Sequence, residues 1–386
     1  MAADPARELP LYRAAADVLV KLHSAPLPEL PLCDADWLTD MAAPAFDFYA
    51  PEGGQVASAP NWVGKEAPAT YWRPYGYPSI MSADESTFTT GKQMPRWDIP
   101  EEAIISCAIN GAFFTKDDNP NQCTTAEEII RSAEECIAEG AQNIHLHARD
   151  ERGYNILTVA AFRRIIETLK QKHPEISYDA CLVAVNDEEY AEMVEMTKAG
   201  LIESVPINTT ALILGDNLFV KPPHVIIDKT RMVVEAGLTP QLAVYSDADI
   251  DNARRFLVEP GLVKGPISWL LVPGLPGCSP MWSPETMVDG LMRMVRLIRE
   301  IDPEGDLIVC AGGRAGLYLA NMALLMGLHV RIGMEDTVWK YPHRDEKISS
   351  NVEAFKTVRD IALSLGRRPM PASTFRERMK AKRSTL

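Results

Sequence analysis

Past residue 100 the chain alternates between short apolar runs and longer stretches with helical spacing. Eight runs stand out: Ala103–Ile109, Asn143–His147, Tyr178–Val185, Ser204–Ile207, Gln241–Tyr245, Ile267–Val272, Asp306–Cys310 and Leu328–Ile332. Each is four to eight residues long, the length of a strand buried on both faces rather than of a helix. Helical patterns fill the intervals. One begins at the capping box TAEE, Thr125–Glu128, and ends before Gly140. Another opens with Ser283 as cap and Pro284 in the first turn. Strand–helix alternation of this kind predicts the α/β class, and eight units predict a closed (β/α)₈ TIM barrel over residues 101–386 rather than an open sheet.

The first 100 residues do not share this rhythm. They hold 13 of the 29 prolines and four tryptophans, Trp37, Trp62, Trp72 and Trp97, with one helical pattern at Leu11–Leu22. Disordered segments are poor in aromatics, so residues 1–100 are read as an ordered arm that wraps the barrel or a neighbouring subunit.

Composition narrows the partners. With 46% hydrophobic and 24% charged residues the chain can bury a full core. A formal net charge of −14 repels nucleic acid and anionic membrane alike. The basic stretch Phe375–Ser384 is read as a solvated final helix. Seven cysteines without a CxxC pair define no disulfide framework, which makes a reducing cytoplasm the expected compartment. The opening MAADPARELP has no apolar stretch of signal-peptide type, and no run reaches the roughly 18 apolar residues of a membrane span.

Candidate chemistry enters with NIHLHARD, Asn143–Asp150. The chain has 7 histidines, and two of them are one residue apart. Strand alternation puts His145 and His147 on one face, roughly 6–7 Å apart at the backbone, within reach of a single metal ion; a strand with its polar side in water is the plainer alternative. In a barrel, active sites lie at the C-terminal strand ends, and this pair closes the second strand. A catalytic zinc commonly takes two histidines, a carboxylate and an open position. RIGMED, Arg331–Asp336, follows the eighth strand, two strands from the histidine pair. Glu335 is the candidate third ligand and Asp336 the candidate base, although adjacent acids also start helices.

Arg331 sits in a strand expected to be buried, so it needs an anionic partner, either a substrate carboxylate or an acid such as Glu335. His329 is read as packed or hydrogen-bonded. Arg314, behind two glycines in CAGGRAG, and the GLPGCSP loop share the rim. Amidohydrolase-type barrels draw further histidines from middle strands; strands five and six contain none, and the fourth unit has only His224, so that class is disfavoured.

Taken together these residues resemble the β-keto acid cleavage enzyme family, typified by 3-keto-5-aminohexanoate cleavage enzyme. The similarity spans Ile104 to Met379. It runs through CAINGA, NPN…TAEEI, EGAQNIHLHARDERG, PINTTALILGDNLF, VPGLPG, AGGR and HVRIGMEDTVW; the pairing of HLHxRD with HVRxGxED is the specific part. The resemblance implies a zinc barrel, usually tetrameric, that exchanges acyl groups between a β-keto acid and acetyl-CoA. By position, His145, His147 and Glu335 match the zinc ligands, one ion per chain, Arg331 the substrate-carboxylate residue and Asp336 the general base.

Other family positions differ. Phe113 follows Gly111-Ala112 where an acid is usual, Cys181 to Ala184 replace Ser-Thr-Gly-Gly, Pro206 stands beside Asn208 in place of Thr, and Gln241 and Ala243 replace glutamates. Phe113, Cys181, Asn208 and Arg314 are therefore the candidate substrate-pocket residues, with Cys181 either a nucleophile or a packed thiol. The expected function is a zinc-dependent enzyme cleaving or forming a C–C bond beside a carbonyl of a small keto or hydroxy acid. Cleavage with acetyl-CoA as co-substrate is the leading form of that reaction, while the apolar replacements at Phe113, Cys181 to Ala184 and Ala243 predict that dependence on acetyl-CoA is weakened or lost. The alternatives are a CoA-independent retro-aldol or retro-Claisen lyase for a bulkier substrate, and a non-catalytic binding barrel, whose mark would be lost ligands.

Overall fold

The structure is a computed structural model that describes residues 96–384. The helix expected at Leu11–Leu22 lies outside the described residues, as does all but the last five residues of the expected arm.

Eight strands form one parallel sheet: β1 Ile105–Ala108, β2 Asn143–Leu146, β3 Ser177–Ala180, β4 Ser204–Asn208, β5 Thr239–Val244, β6 Ser268–Leu271, β7 Asp306–Cys310 and β8 His329–Ile332. Their spatial order is β3-β2-β1-β8-β7-β6-β5-β4. The two ends approach through a bond from Glu203 N to Tyr178 O of 3.1 Å, which nearly closes the ring into a TIM barrel. All residues of these strands are buried, as strands between a helical layer and a barrel interior must be.

The helices follow their strands: α1 Ala126–Ala138, α2 Val159–Lys172, α3 Asp187–Lys198, α4 Pro223–Glu235, α5 Asp247–Ala253, α6 Pro284–Ile301, α7 Gly316–Leu325 and α8 Asn351–Ser364. Thr125 and Ser283 cap α1 and α6 with complete capping boxes, as their sequences predict. No helix among the described residues is long and apolar enough to cross a membrane.

Two cores result. Ile144, Leu146, Leu242, Val309 and Val330 pack outward against the helices. Ile104, Ala243, Leu270, Ile308 and Cys310 form a second cluster with Met370, Phe375 and Met379. The last two correct one expectation. The basic C-terminal stretch is not a solvated helix: α9, Ala372–Ser384, buries Phe375 and Met379 to 2% and 1% exposure. Such side chains contribute roughly 1.5–3 kcal/mol each by burial. Its arginines serve the strand starts. Arg376 donates to the carbonyls of Pro174, Glu175 and Ile176, and Arg378 pairs with Asp306, the first residue of β7.

A second correction concerns Tyr178–Val185. Strand β3 stops at Ala180 because the Lys229 ammonium of α4 captures the Leu182 carbonyl at 2.5 Å, and Val185 ends 79% exposed. Cys181 therefore belongs to a strand-end loop rather than to a strand. After β4 the chain also forms a hairpin, Ala211–Leu214 with Asn217–Val220, turning at Gly215 with φ 60°, a conformation glycine adopts without penalty.

Candidate metal centre and active site

His145 is the third residue of β2, and His147 lies just beyond its end. There the ladder gives way to a side chain: Asn110 Oδ1 accepts from His147 N at 3.0 Å while Asn110 Nδ2 donates to His147 O at 3.1 Å. Each imidazole is then oriented through its Nδ1. His145 Nδ1 bonds Asp179, its register partner on β3, and His147 Nδ1 donates to Asn155 Oδ1 at 2.7 Å. With Nδ1 engaged, both Nε2 atoms turn to one point, the arrangement by which outer acceptors fix metal-binding histidines.

Glu335 completes the group. Its carboxylate oxygens lie 3.1 Å from His145 Nε2 and 3.4 Å from His147 Nε2. Two glycines bring it there. Gly333, at φ 152°, abuts the Ala108 carbonyl where a Cβ would sit only 2.0 Å from the oxygen. Gly111 lies against Glu335 itself, and a Cβ there would meet Glu335 Cγ at 2.7 Å. Arg149 holds this loop by donating to the carbonyls of Gly111 and Phe114. The ligand atoms of His145, His147 and Glu335 lie within 4.8 Å of one another. His145 Nε2, His147 Nε2 and Glu335 Oε2 are buried without a hydrogen-bond partner. Orphaned polar atoms at one buried point are costly unless something joins them, and two imidazoles with one carboxylate fit zinc.

Arg331 and Asp336 lie beside this centre. Arg331 Nε donates to Asp336 Oδ2 at 3.0 Å and its Nη2 to Asp336 Oδ1 and, at 3.0 Å, to Glu335 Oε1. The two-pronged grip that a substrate carboxylate was expected to receive is thus held by Asp336, and Nη1 is the part of the fork without a bond among the described residues.

Charge follows this geometry. Burial pushes the His145 imidazole down, but the Glu335 and Asp179 carboxylates outweigh it and bring it up to about 9. For His147, burial is likewise outweighed, by Glu335 and Cys181, and its pKa rises well above the ordinary value. Burial opposes ionisation of Glu335, yet Arg331 and the two imidazoles hold it well below the usual range. Asp336 goes the other way: burial raises it, and Arg331 offsets that only in part. Any metal ion must displace the imidazole protons to bind.

The remaining expected residues disperse. Cys181 lies beside His147; burial raises its thiol, but His147 and Lys229 outweigh that and lower it. Asn208 is buried, with Nδ2 donating to the Tyr245 hydroxyl at 2.7 Å and Oδ1 without a partner. Phe113 is 56% exposed. Arg314 stacks on Trp339 at 3.8 Å and pairs with Asp345 at 2.5 Å. It lines a cavity of about 1090 Å³ with the Gly274–Gly277 loop, Tyr318 and Trp339. The metal-centre residues do not line this cavity; the link is a backbone bond from Gly313 to Asp336 O at 3.0 Å. His329 Nδ1 accepts from Ile104 N at 3.1 Å, away from the centre.

Comparison with known proteins agrees in one direction. Residues 102–380 match the model of the beta-keto acid cleavage enzyme family. The chain is 31% identical over 281 residues to 3-keto-5-aminohexanoate cleavage enzyme of Acetoanaerobium sticklandii, covering 72% of this chain and 97% of that protein. It is 22% identical over 301 residues to 3-dehydrocarnitine:acetyl-CoA trimethylamine transferase of Rhizobium meliloti, covering 72% and 96%. Among solved structures, ObcA in ternary complex with a C4-CoA adduct and oxalate superposes with a TM-score of 0.57 at 17% identity, covering 67% of each chain; the likeness is one of fold.

Proposed function

We propose that this chain, which belongs to the beta-keto acid cleavage enzyme family, is a zinc-dependent enzyme that cleaves a keto acid beside its ketone in an acyl exchange with acetyl-CoA, the released acyl group leaving on coenzyme A and the acetyl group passing to the remaining carboxylate-bearing fragment. The family places it among C–C bond-cleaving and acyl-transferring enzymes. The observation that carries the metal assignment is the convergence of three buried, unpartnered ligand atoms from His145, His147 and Glu335. Zinc held by these residues would supply a Lewis acid for the carbonyl oxygen.

The chain's own groups supply the rest. Arg331 meets a substrate carboxylate through Nη1 and holds Asp336 through Nε and Nη2. Asp336, raised by burial, moves the proton at the carbon next to the carbonyl, a task that favours a carboxylate above its ordinary range. Buried strand ends keep water from both. The cavity beside the Gly274–Gly277 loop has the volume for an extended co-substrate, and Arg314, already paired with Asp345, lines it. Relatives named for acetyl-CoA transfer support that assignment. A CoA-independent lyase is the second reading, favoured by the loop after β3, where Cys181 to Ala184 offer no hydroxyl to steady a thioester.

By resemblance the assembly is a cytoplasmic homotetramer. The deciding experiment combines elemental analysis with a keto-acid panel assayed with and without acetyl-CoA. About one metal per chain, lost in His147→Ala, and turnover that requires acetyl-CoA support the proposal. Full metal loading in His147→Ala would remove the centre from it, and turnover without acetyl-CoA would favour the lyase.

A further inference from the structure

The ligands of the metal centre come from the two strands that flank β1, and one distant side chain ties their loops together. β1 pairs with β2, which bears the histidines, and with β8, which leads to Glu335. The residues at the end of β1 reach both sides. Ile109 N bonds His145 O at 3.0 Å, and Asn110 brackets the His147 backbone. On the other side Ala108 O accepts from Glu335 N at 3.3 Å, longer than the usual ~3.0 Å and so a weak tie between the two strand-end loops.

Asn351 supplies the tighter link. Its Oδ1 accepts from Met334 N at 2.8 Å, one residue before Glu335. Its Nδ2 donates to Ile109 O at 2.7 Å, one residue before Asn110, and to Ser132 Oγ on α1 at 3.0 Å. The residue is buried, and its amide is spent entirely on partners outside its own helix. Helix α8 does not need it as a cap, because Ser350 Oγ already accepts from Glu353 N. The two loops present one N–H and one carbonyl, and an amide offers an acceptor and a donor on one short stem.

We propose that Asn351 is a positioning residue for the metal centre. By fixing Met334 against Ile109 it sets the separation between Glu335 and the two imidazoles, and hence how tightly the three ligands hold one ion. The proposal deepens the functional reading above and rests on it for the identity of His145, His147 and Glu335 as ligands. Asn351 touches none of the three, so its influence passes through the backbone on either side of the centre. A single outer partner of one ligand tunes metal affinity about 10–100-fold; Asn351 bears on both sides of the ligand set at once.

The test measures zinc affinity of the purified full chain by competition with a chromophoric chelator, in wild type, Asn351→Leu, Asn351→Asp and Ser132→Ala. Asn351→Leu keeps the shape and loses both loop bonds, and its affinity is expected to fall about 10–100-fold. Asn351→Asp keeps the acceptor for Met334 N but loses the donor to Ile109 O, and should also weaken zinc; either variant carries the test if the other does not fold. Ser132→Ala removes only the third bond, so its affinity should stay within about threefold of wild type even where its melting temperature falls. Cobalt bound in place of zinc gives a visible spectrum that responds to ligand geometry, and that spectrum should change in the Asn351 variants and not in Ser132→Ala. An affinity within about threefold of wild type in a folded Asn351 variant, or a Ser132→Ala loss as large as theirs, overturns the proposal. Failure of both Asn351 variants to fold makes the residue structural and overturns it equally. A wild-type chain that takes up no zinc removes the metal reading itself, whereas tight zinc in every variant removes only the role of Asn351.

Discussion

Gly111→Ala adds a single methyl group, and the structure fixes what it meets. The new Cβ would lie 2.7 Å from Glu335 Cγ and 3.2 Å from its Cα and Cβ, where carbon atoms prefer roughly 3.5–4.0 Å. The backbone at 111 is not in the left-handed region, so the effect is steric and not conformational. Neither main chain can yield readily. Arg149 clamps the Gly111 carbonyl, and Glu335 N bonds Ala108 O at 3.3 Å beside Gly333, which has no room to shift. The Glu335 side chain must therefore rotate and withdraw its carboxylate from the two imidazoles. Overpacking of this kind costs about 1–3 kcal/mol, a fall in melting temperature of roughly 2–4 °C per kcal/mol in a large domain.

The metal should suffer more. Losing one of three ligands is expected to weaken zinc at least as much as losing an outer partner does, about 10–100-fold. Competition with a chromophoric chelator measures the affinity. Melting with and without zinc gives a second reading, since a ligand at 100 times its Kd stabilises by about 2.7 kcal/mol, and that increment should collapse in the variant. Gly290→Ala, on α6 with its nearest neighbour at 3.6 Å, is the control and should leave both unchanged. Zinc affinity in Gly111→Ala within threefold of wild type would falsify the placement of Glu335 in the centre.

The eight strands were legible because strands buried on both faces have nowhere to put a polar residue, and their sequences become runs. That signal fails where a side chain outcompetes the ladder, as Lys229 does at Leu182; nothing near Tyr178–Val185 announces a lysine more than forty positions later. The tail was misread through its charge, yet Phe375 and Met379 are four apart, the spacing of one helical face, and that pair was the available sign. At the centre, alternation brought His145 and His147 together and strand order brought Glu335 near them. Their orienting partners were harder to see. Asp179 is an acid inside an apolar run, and a buried acid requires a partner, so the signal existed. Asn155 had none: it reaches His147 through a short antiparallel pairing of residues 148–149 with 155–156, set by tertiary contact. For Arg331 the sequence demanded an anion and left its identity open; Asp336 takes the larger share.

Three further outcomes test these relations. Asp336→Asn should retain its metal and lose roughly 10²–10⁴-fold in kcat; a metal-depleted variant would make Asp336 part of the centre instead. Asp179→Asn keeps the shape of the His145 partner but not its charge, and chelator competition should show zinc weakened by about 10–100-fold, an unchanged affinity refuting the orienting role. Lys229→Met tests the buried ammonium through pH. Its folded pKa of about 8 lies below the ordinary 10.5, so between those values the unfolded chain binds the proton and the folded chain does not, and stability rises with pH across that window. The full shift corresponds to roughly 3 kcal/mol, present as a penalty below pH 8 and relieved as pH climbs to about 10.5. In urea melts the wild type should therefore gain on Lys229→Met from pH 8 upward by up to about that amount, and a difference that stays flat over the window would mean that the ammonium is solvated or already paired.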